Sequence, residues 1–493
     1  MKLECLISPV SFLRHCLGDD LPTRDPAALD AYEGWWERAG KPISTAVDRA
    51  GTPWVQQYDR LGSRVDDVIM PAGYRQMLEQ GYQQGVVWRA FDESLRAAYL
   101  FGYVAAYYDT GLYCPYTVSL ATAASVDKYA EPAVRDRLLP HLLRRDDAVW
   151  QGATWMTEAR GGSDLGAAVE TVATRVGDGW RLTGDKYFSS NAGAELAVVA
   201  ARPDDAPAGV RGLALFLVPR LRADGSLNYH IRRMKDKIAT RSVPTGEVEL
   251  RDSEAWLLGE AGHGIYLILE VLNLSRVCNS IGSVSLAQRA LADAYTFAAE
   301  RLVFGKRLID QPLMRRQFEQ RWADLEQGMA LAWEAVLLAE AIWLERAPRY
   351  SQSFHLFRLV THLAKYWTAE AAVQAAKWAM EVNGGMGTLA EFGVERWLRE
   401  AMIVDIWEGP PHRQILDGLE AIERKDAARL LFEHLAPFAD AGASADMAAR
   451  VGDLLALPQD EKEASAGDLF EALAAFTGAA LTEKLRRRAP VQP

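Results

Sequence analysis

The 493-residue sequence reads as an α+β chain: a mostly helical block, a run of strands, then helices long enough to build a bundle. Three observations carry this. Residues 1–150 and 261–435 space their apolar side chains at the helical period. Residues 151–260 alternate apolar with polar and are punctuated by Gly, Pro, Asp and Asn, as strands and turns are. Those strands are grouped rather than interleaved with helices, which argues against a doubly wound nucleotide-binding sheet.

Size and composition narrow the function classes. The chain is 49% hydrophobic and 25% charged, an ordinary globular balance, and long enough for several domains. A formal net charge of -11 disfavours nonspecific binding to nucleic acid or to an anionic membrane surface. Cys5, Cys16, Cys114 and Cys278 are scattered, with no zinc-ligand spacing, so no metal site is expected and the thiols read as buried groups in a reducing cytoplasm. The N-terminal apolar stretch is interrupted by Glu4, Pro9 and Arg14, unlike a signal peptide, and no run approaches the roughly 18 residues of a membrane span. The expectation is a cytoplasmic protein.

In chain order, Asp25-Pro26 opens a helix, with the Asp as cap and the Pro in the first turn. Residues 74–85, 90–108 and 134–143 continue the N-terminal helical domain, and its many aromatics read as core. The middle β domain begins near residue 151. Gly177-Asp178-Gly179 marks a hairpin, and residues 195–202, 212–219 and 245–259 read as strands. Helical periodicity returns over 265–296, 313–344, 353–382 and 415–435, matching a four-helix bundle in residues 261–435. A helical extension, 436–493, carries an apolar stripe through Leu469, Phe470, Leu473, Phe476, Ala480 and Leu485. Arg486, Arg487 and Arg488 close it, where cations suit a helix C-terminus, a contact with nucleic acid or a partner being the other reading.

One carboxylate stands out. Glu408 lies between Ile406-Trp407 and the bend Gly409-Pro410-Pro411, a setting that desolvates an acid and makes it a stronger base. Alone it reads as an ordinary acid at a helix end. Two Gly- and Ser-rich stretches, 155–167 and 184–195, allow a ligand to approach the backbone, although each alone reads as a β-turn.

Taken together, these motifs resemble the acyl-CoA dehydrogenase flavoprotein family over about residues 60–430. The resemblance rests on Thr157, Glu158, Gly162, Ser163 and Asp164; on Gly184, Lys186, Phe188, Ser189, Ser190 and Asn191; on Arg301, Phe304 and Gly305; and on Gly384, Gly385, Gly387, Arg399, Glu400, Ala401, Glu408 and Gly409. The wording is most similar to the AidB-like, alkylation-response branch, including Glu381 where many relatives have Gln.

The resemblance implies the family's fold, with a barrel-like middle domain, and FAD as cofactor. Met156, Thr157 and Ser163 would line the flavin and its pyrophosphate, with Phe188 and Ser190 against the ring. Arg301, Phe304, Gly384 and Gly385 would reach the FAD of a neighbouring subunit in a homotetramer or dimer. Glu408 falls on the catalytic-base position; the alternative position used by some relatives is Ser275 here, which cannot act as a base. The implied reaction is α,β-dehydrogenation of a short or branched acyl-CoA thioester. Glu408 takes the α-proton, the β-hydrogen passes to flavin N5, and the base's own N–H and a ribityl hydroxyl steady the thioester oxygen. An electron-transfer flavoprotein or another acceptor would reoxidise the flavin.

Several positions depart from the family pattern. Pro410, Pro411 and His412 replace the usual flavin contacts after Glu-Gly, Val303 and Pro312 stand where polar contacts are common, and Ala159-Arg160 replaces Pro-Gly. A flavin oxidase or monooxygenase is a second enzymatic reading, disfavoured by retention of Glu408. The AidB-like branch also implies a DNA-binding flavoprotein with weak or no dehydrogenase activity. Residues 431–493 hold ten Asp or Glu against six Lys or Arg, which argues against DNA as a partner.

Overall fold

The computed structural model describes residues 3–488. The N-terminal region is helical with one exception, a hairpin of β1 (Trp54–Tyr58) and β2 (Arg64–Ile69) that the sequence periodicity did not reveal. Asp25 caps the helix Pro26–Trp35 by accepting from the Ala28 N–H at 3.0 Å. The expected helix over 90–108 is two pieces, because Ser94 starts a new helix, Leu95–Tyr108, by capping Ala97 N–H. That helix is buried on nearly all sides and is followed by Thr110–Tyr129, capped by Asp109.

The middle region forms a seven-stranded sheet from β3 (Gly152–Trp155), β4 (Val172–Val176), β5 (Gly179–Ser190), β6 (Leu196–Pro203), β7 (Ala214–Pro219), β8 (Tyr229–Met234) and β9 (Thr245–Leu258). The pairings β6–β4, β4–β5, β5–β9, β9–β7 and β7–β6 close a ring, so the sheet is a barrel with β3 and β8 appended. The β4–β5 hairpin turns on Gly177-Asp178, where Gly177 has φ 61°. Trp155, Leu182, Phe216, Tyr229 and Val248 fill its interior.

The bundle consists of the helices Gly264–Glu300, Pro312–Ala341 and Gln352–Asn383, with Pro411–Lys425 and Ala427–Leu435 in the fourth position. Sequence periodicity suggested one helix over 415–435; Asp426, left-handed at φ 54°, breaks it. The 264–300 helix packs on the 352–383 and 312–341 helices and on the 95–108 and 110–129 helices of the N-terminal region, so it is the axis of the molecule. Among the described residues, no helix is long and apolar enough to cross a membrane.

The extension forms the helices Ala441–Leu455 and Gln459–Arg488. Its stripe packs on the bundle: Leu469, Phe470, Leu473 and Ala480 are buried, and Phe470 meets Tyr366 edge-to-face. Gly418 has to be glycine, because a Cβ there would lie 2.3 Å from the Phe470 ring. Beside the stripe, the buried Glu334 carboxylate accepts from Lys484 at 2.7 Å and pairs with His434 at 2.7 Å. Arg487 pairs with Glu483 and the Pro437 carbonyl, and Arg486 approaches Glu326, so both are engaged within the chain. The side chain of Arg488 lies outside the described residues. Replacing Glu334 with Ala strands the Lys484 cation and is expected to cost about 3–5 kcal/mol. Thermal unfolding should fall accordingly, with the 441–488 segment becoming the first site of limited proteolysis.

Candidate active site

Glu408 is the hinge between two helices. The helix Val394–Ile406 ends as the Trp407 N–H bonds the Ile403 carbonyl, and the next helix starts at Pro411. Between them the backbone is left-handed twice, with φ 58° at Glu408 and 99° at Gly409. The glycine adopts this freely, whereas for Glu408 it costs roughly 1–2 kcal/mol. Side chains hold it in place. The Glu408 carbonyl accepts from Arg276 Nε at 3.0 Å and Gln414 Nε2 at 3.0 Å, and the same Gln414 amide donates to the Gly409 carbonyl at 2.8 Å. Gln414 is itself oriented by His362 Nδ1 at 2.9 Å, and Arg276 by Asn273 at 3.0 Å and Asp417 at 3.1 Å.

The helix that delivers the chain to this turn is anchored at depth. Arg396 bonds Glu400 at 2.8 Å and meets Asp109 at 3.2 Å, while Arg399 bonds Asp48 at 2.8 Å. These pairs fix the helix to the N-terminal region before it reaches Glu408.

Electrostatics favour a poised carboxyl. Glu408 is half-buried by area, and enough protein encloses its carboxyl that burial pushes its pKa up to about 7, against the pull of Arg276 and Lys365. Both cations are engaged elsewhere: Arg276 with Asp417, and Lys365 with the Asp405 carbonyl, burial lowering the lysine to about 8. His362, held down to about 3 by burial, is neutral and adds no third charge.

The flavin-cradle candidates of the middle region gather where the chain leaves β3 alongside the end of β5. Met156 is buried and Thr157 half-buried just past β3, and the Tyr187 N–H donates to the Thr157 carbonyl at 3.1 Å, joining this turn to the end of β5. Beneath them Glu158 grips Lys186 at 2.6 Å, Thr171 Oγ1 at 2.6 Å and the Glu170 N–H at 2.7 Å. Gly162 packs against Thr157, where a Cβ would lie 2.6 Å from its hydroxyl. Ser163 is exposed, as is the Phe188 ring, at 54%. Burial raises the Cys114 thiol to about 12, Lys237 pulling it down and the Glu408 charge pushing it up.

Four candidates lie apart from this cluster. Arg301 follows the 264–300 helix, 25 residues beyond Arg276, a separation of about 38 Å at helical rise. Phe304, 99% exposed with φ 47°, tips a short hairpin of β10 (Leu302–Val303) and β11 (Lys306–Arg307). Gly384 and Gly385 are exposed past the 352–383 helix, 19 residues and roughly 30 Å beyond Lys365. Pro410 and Pro411 serve to start a helix, and His412 is exposed. Arg160 pairs with Glu170 at 3.0 Å on the surface.

Comparison with known proteins agrees with this architecture. Residues 36–147 match the AidB N-terminal domain, 153–253 the acyl-CoA dehydrogenase middle domain and 262–422 the acyl-CoA dehydrogenase C-terminal domain. The putative acyl-CoA dehydrogenase AidB of Escherichia coli is 33% identical over 429 residues, 82% of this chain and 76% of that one. The chain belongs to the acyl-CoA dehydrogenase family. Acyl-CoA dehydrogenase family member 11 of Caenorhabditis elegans is 29% identical over 80% of this chain and 67% of that one. Among solved structures, the Bd2924 apo-form superposes with a TM-score of 0.87 at 28% identity, covering 97% of this chain and 96% of that one. Caenorhabditis elegans ACDH-11 in complex with C11-CoA superposes with a TM-score of 0.87 at 23% identity, covering 100% and 89%. The chain is thus an FAD-dependent acyl-CoA dehydrogenase by family.

Sequence reasoning missed the residues that hold Glu408. Gln414 was within reach, six positions along; Arg276, His362 and Lys365 lie more than 40 residues away in sequence and leave no local signal. The activity of a base titrating at about 7 should rise tenfold per pH unit below 7 and level off above it. Lys365→Met removes a cation that favours the ionised form, so this acidic limb moves to higher pH, by about one unit. Profiles of kcat/KM against pH measure both. Gln414→Leu leaves the Gly409 carbonyl without that donor and the Glu408 carbonyl with Arg276 alone, and should lower kcat about tenfold, with the flavin absorbance band retained, as steady-state rates and spectra will record.

Proposed function

We propose that the protein oxidises an acyl-CoA thioester to its 2,3-enoyl product, with Glu408 as general base. The observation that carries this is the Glu408 carboxyl, raised to about 7 on a turn whose carbonyl two side chains hold, whereas Glu400, raised as far, is bonded to Arg396. A carbon next to a thioester is too weak an acid to ionise in water, and a carboxylate at this pKa is matched to removing its proton near neutral pH. The Glu408 turn places the carboxylate, and its backbone N–H serves as a donor to the thioester oxygen as charge develops there.

The residues fit FAD. Thr157, Ser163 and Ser190 offer hydroxyl donors, Met156 and Phe188 offer apolar faces, and Gly161 leaves open space for close approach. FAD, when bound, supplies the acceptor for the β-hydrogen and its electron pair. Arg301, Phe304, Gly384 and Gly385 are too far from Glu408 to serve the same flavin, which supports a dimer or tetramer in which they contact the FAD of a neighbouring subunit. An electron-transferring flavoprotein or another acceptor completes the cycle.

Anaerobic addition of acyl-CoA to the yellow holoprotein is expected to bleach the flavin band. In Glu408→Gln the band persists and reduction slows on the order of 10³-fold. Near-normal reduction in that variant would reject Glu408 as the base, and bleaching by none of the thioesters would reject the reaction.

A further inference from the structure

The helix 411–425, which starts at the Glu408 turn, is gripped from two directions. Toward the base, Gln414 Nε2 donates to the Glu408 carbonyl at 3.0 Å and to the Gly409 carbonyl at 2.8 Å. Three residues on, Asp417 pairs with Arg276 at 3.1 Å and so orients the other donor to the Glu408 carbonyl. Both donors therefore answer to the position of this one helix. One turn beyond Gln414 stands Gly418, and it faces the C-terminal extension, which lies past the 262–422 span of the matched C-terminal domain.

The contact is close. A Cβ on Gly418 would lie 2.3 Å from Phe470 Cε2 and 2.8 Å from Cζ, so the ring rests on bare backbone. The ring is itself fixed, 3% exposed and set edge-to-face on Tyr366 with 5.5 Å between centroids. Tyr366 follows Lys365, which donates to the Asp405 carbonyl on the helix that leads into Glu408. Lys462 adds a second tie, pairing with Glu423 near the far end of the 411–425 helix at 2.5 Å. Through Phe470 the extension bears directly on the helix after the turn. By way of Tyr366 it also bears on the helix whose Lys365 holds the one before.

We propose that the C-terminal extension braces the catalytic turn, with Phe470 as a positioning residue that, through Gly418, keeps Gln414 and Asp417 in place behind Glu408. The proposal rests on the reading of Glu408 as the base. The distances support a direct coupling. Relieving a 2.3 Å contact to ordinary packing at about 3.5–4.0 Å moves ring or helix by about 1 Å or more. The Gln414 bonds, one helical turn or about 5.4 Å away, are lost when stretched past about 3.5 Å. A shift of that size at Gly418 is enough to break the hold of Gln414 on both carbonyls. Water then reaches the turn, and a less buried Glu408 carboxyl titrates lower.

The experiment compares variants of the full-length holoenzyme with wild type by kcat, KM and the pH profile of kcat/KM on one acyl-CoA. Gly418→Ala is expected to lower kcat about threefold or more with KM within about twofold, and to move the acidic limb to lower pH by about half a unit. Adding Phe470→Leu, which removes the two ring atoms nearest Gly418, should bring kcat back to within about twofold of wild type. Gly478→Ala crowds the extension against Gln327 of the 312–341 helix instead, and should leave kcat and the limb unchanged. The groups that sense the Glu408 charge, Arg276, Lys365, Cys114 and Cys278, are intact in every variant. Wild-type kinetics in Gly418→Ala, no recovery in the double variant, or an equal loss in Gly478→Ala would overturn the brace. If Gly418→Ala does not fold, Phe470→Ala carries the test by hydrogen exchange at the Trp407, Arg413 and Gln414 amides, which flank the turn. Faster exchange there in Phe470→Ala but not in Gly478→Ala supports the brace, and wild-type exchange overturns it. The same measurement decides the brace when no acyl-CoA reduces the flavin, an outcome that rejects the dehydrogenase reading alone.

Discussion

The conformation of Glu408 depends on two side-chain donors converging on one carbonyl oxygen. A residue with a Cβ gains nothing from a left-handed backbone, and here a second left-handed residue follows at once. Arg276 comes from the central helix and Gln414 from the helix that the turn itself starts, so the turn is held from both sides. The remaining contacts serve these two: Asn273 and Asp417 orient the guanidinium, and a neutral His362 orients the amide. The carboxylate is positioned through its main chain, which leaves its oxygens uncommitted to any of these partners.

The charge balance follows the same logic. Two cations close to a buried acid would ordinarily drag its pKa well below 4. Asp417 offsets one and the Asp405 carbonyl shares the other, so burial wins and the acid settles near neutrality. Had His362 been cationic, a third positive charge would have stood two hydrogen bonds away, through Gln414.

Much of this was legible in the sequence, for identifiable reasons. Asp25, the Gly177-Asp178 turn and the periodicity of the long helices are local signals, and the structure carries each of them. The helix break at Ser94 and the split at Asp426 were missed because a capping residue or a single left-handed residue leaves helical spacing intact on both sides. The β1–β2 hairpin is short and half-exposed, so its alternation is weak. Glu408 could be singled out from its neighbours, whereas the grip on its carbonyl depends on Arg276, which is 132 positions away.

The central helix runs 37 residues without interruption, gripping the base near its first third and ending where the exposed Phe304 hairpin begins. Each residue of an α-helix turns the chain by about 100° and advances it about 1.5 Å. Between Arg276 and Arg301 the helix is therefore a ruler and a protractor together. A substitution there disturbs one contact, but one residue inserted or removed would swing the hairpin by over a quarter turn. This segment should tolerate a conservative substitution better than any change in its length.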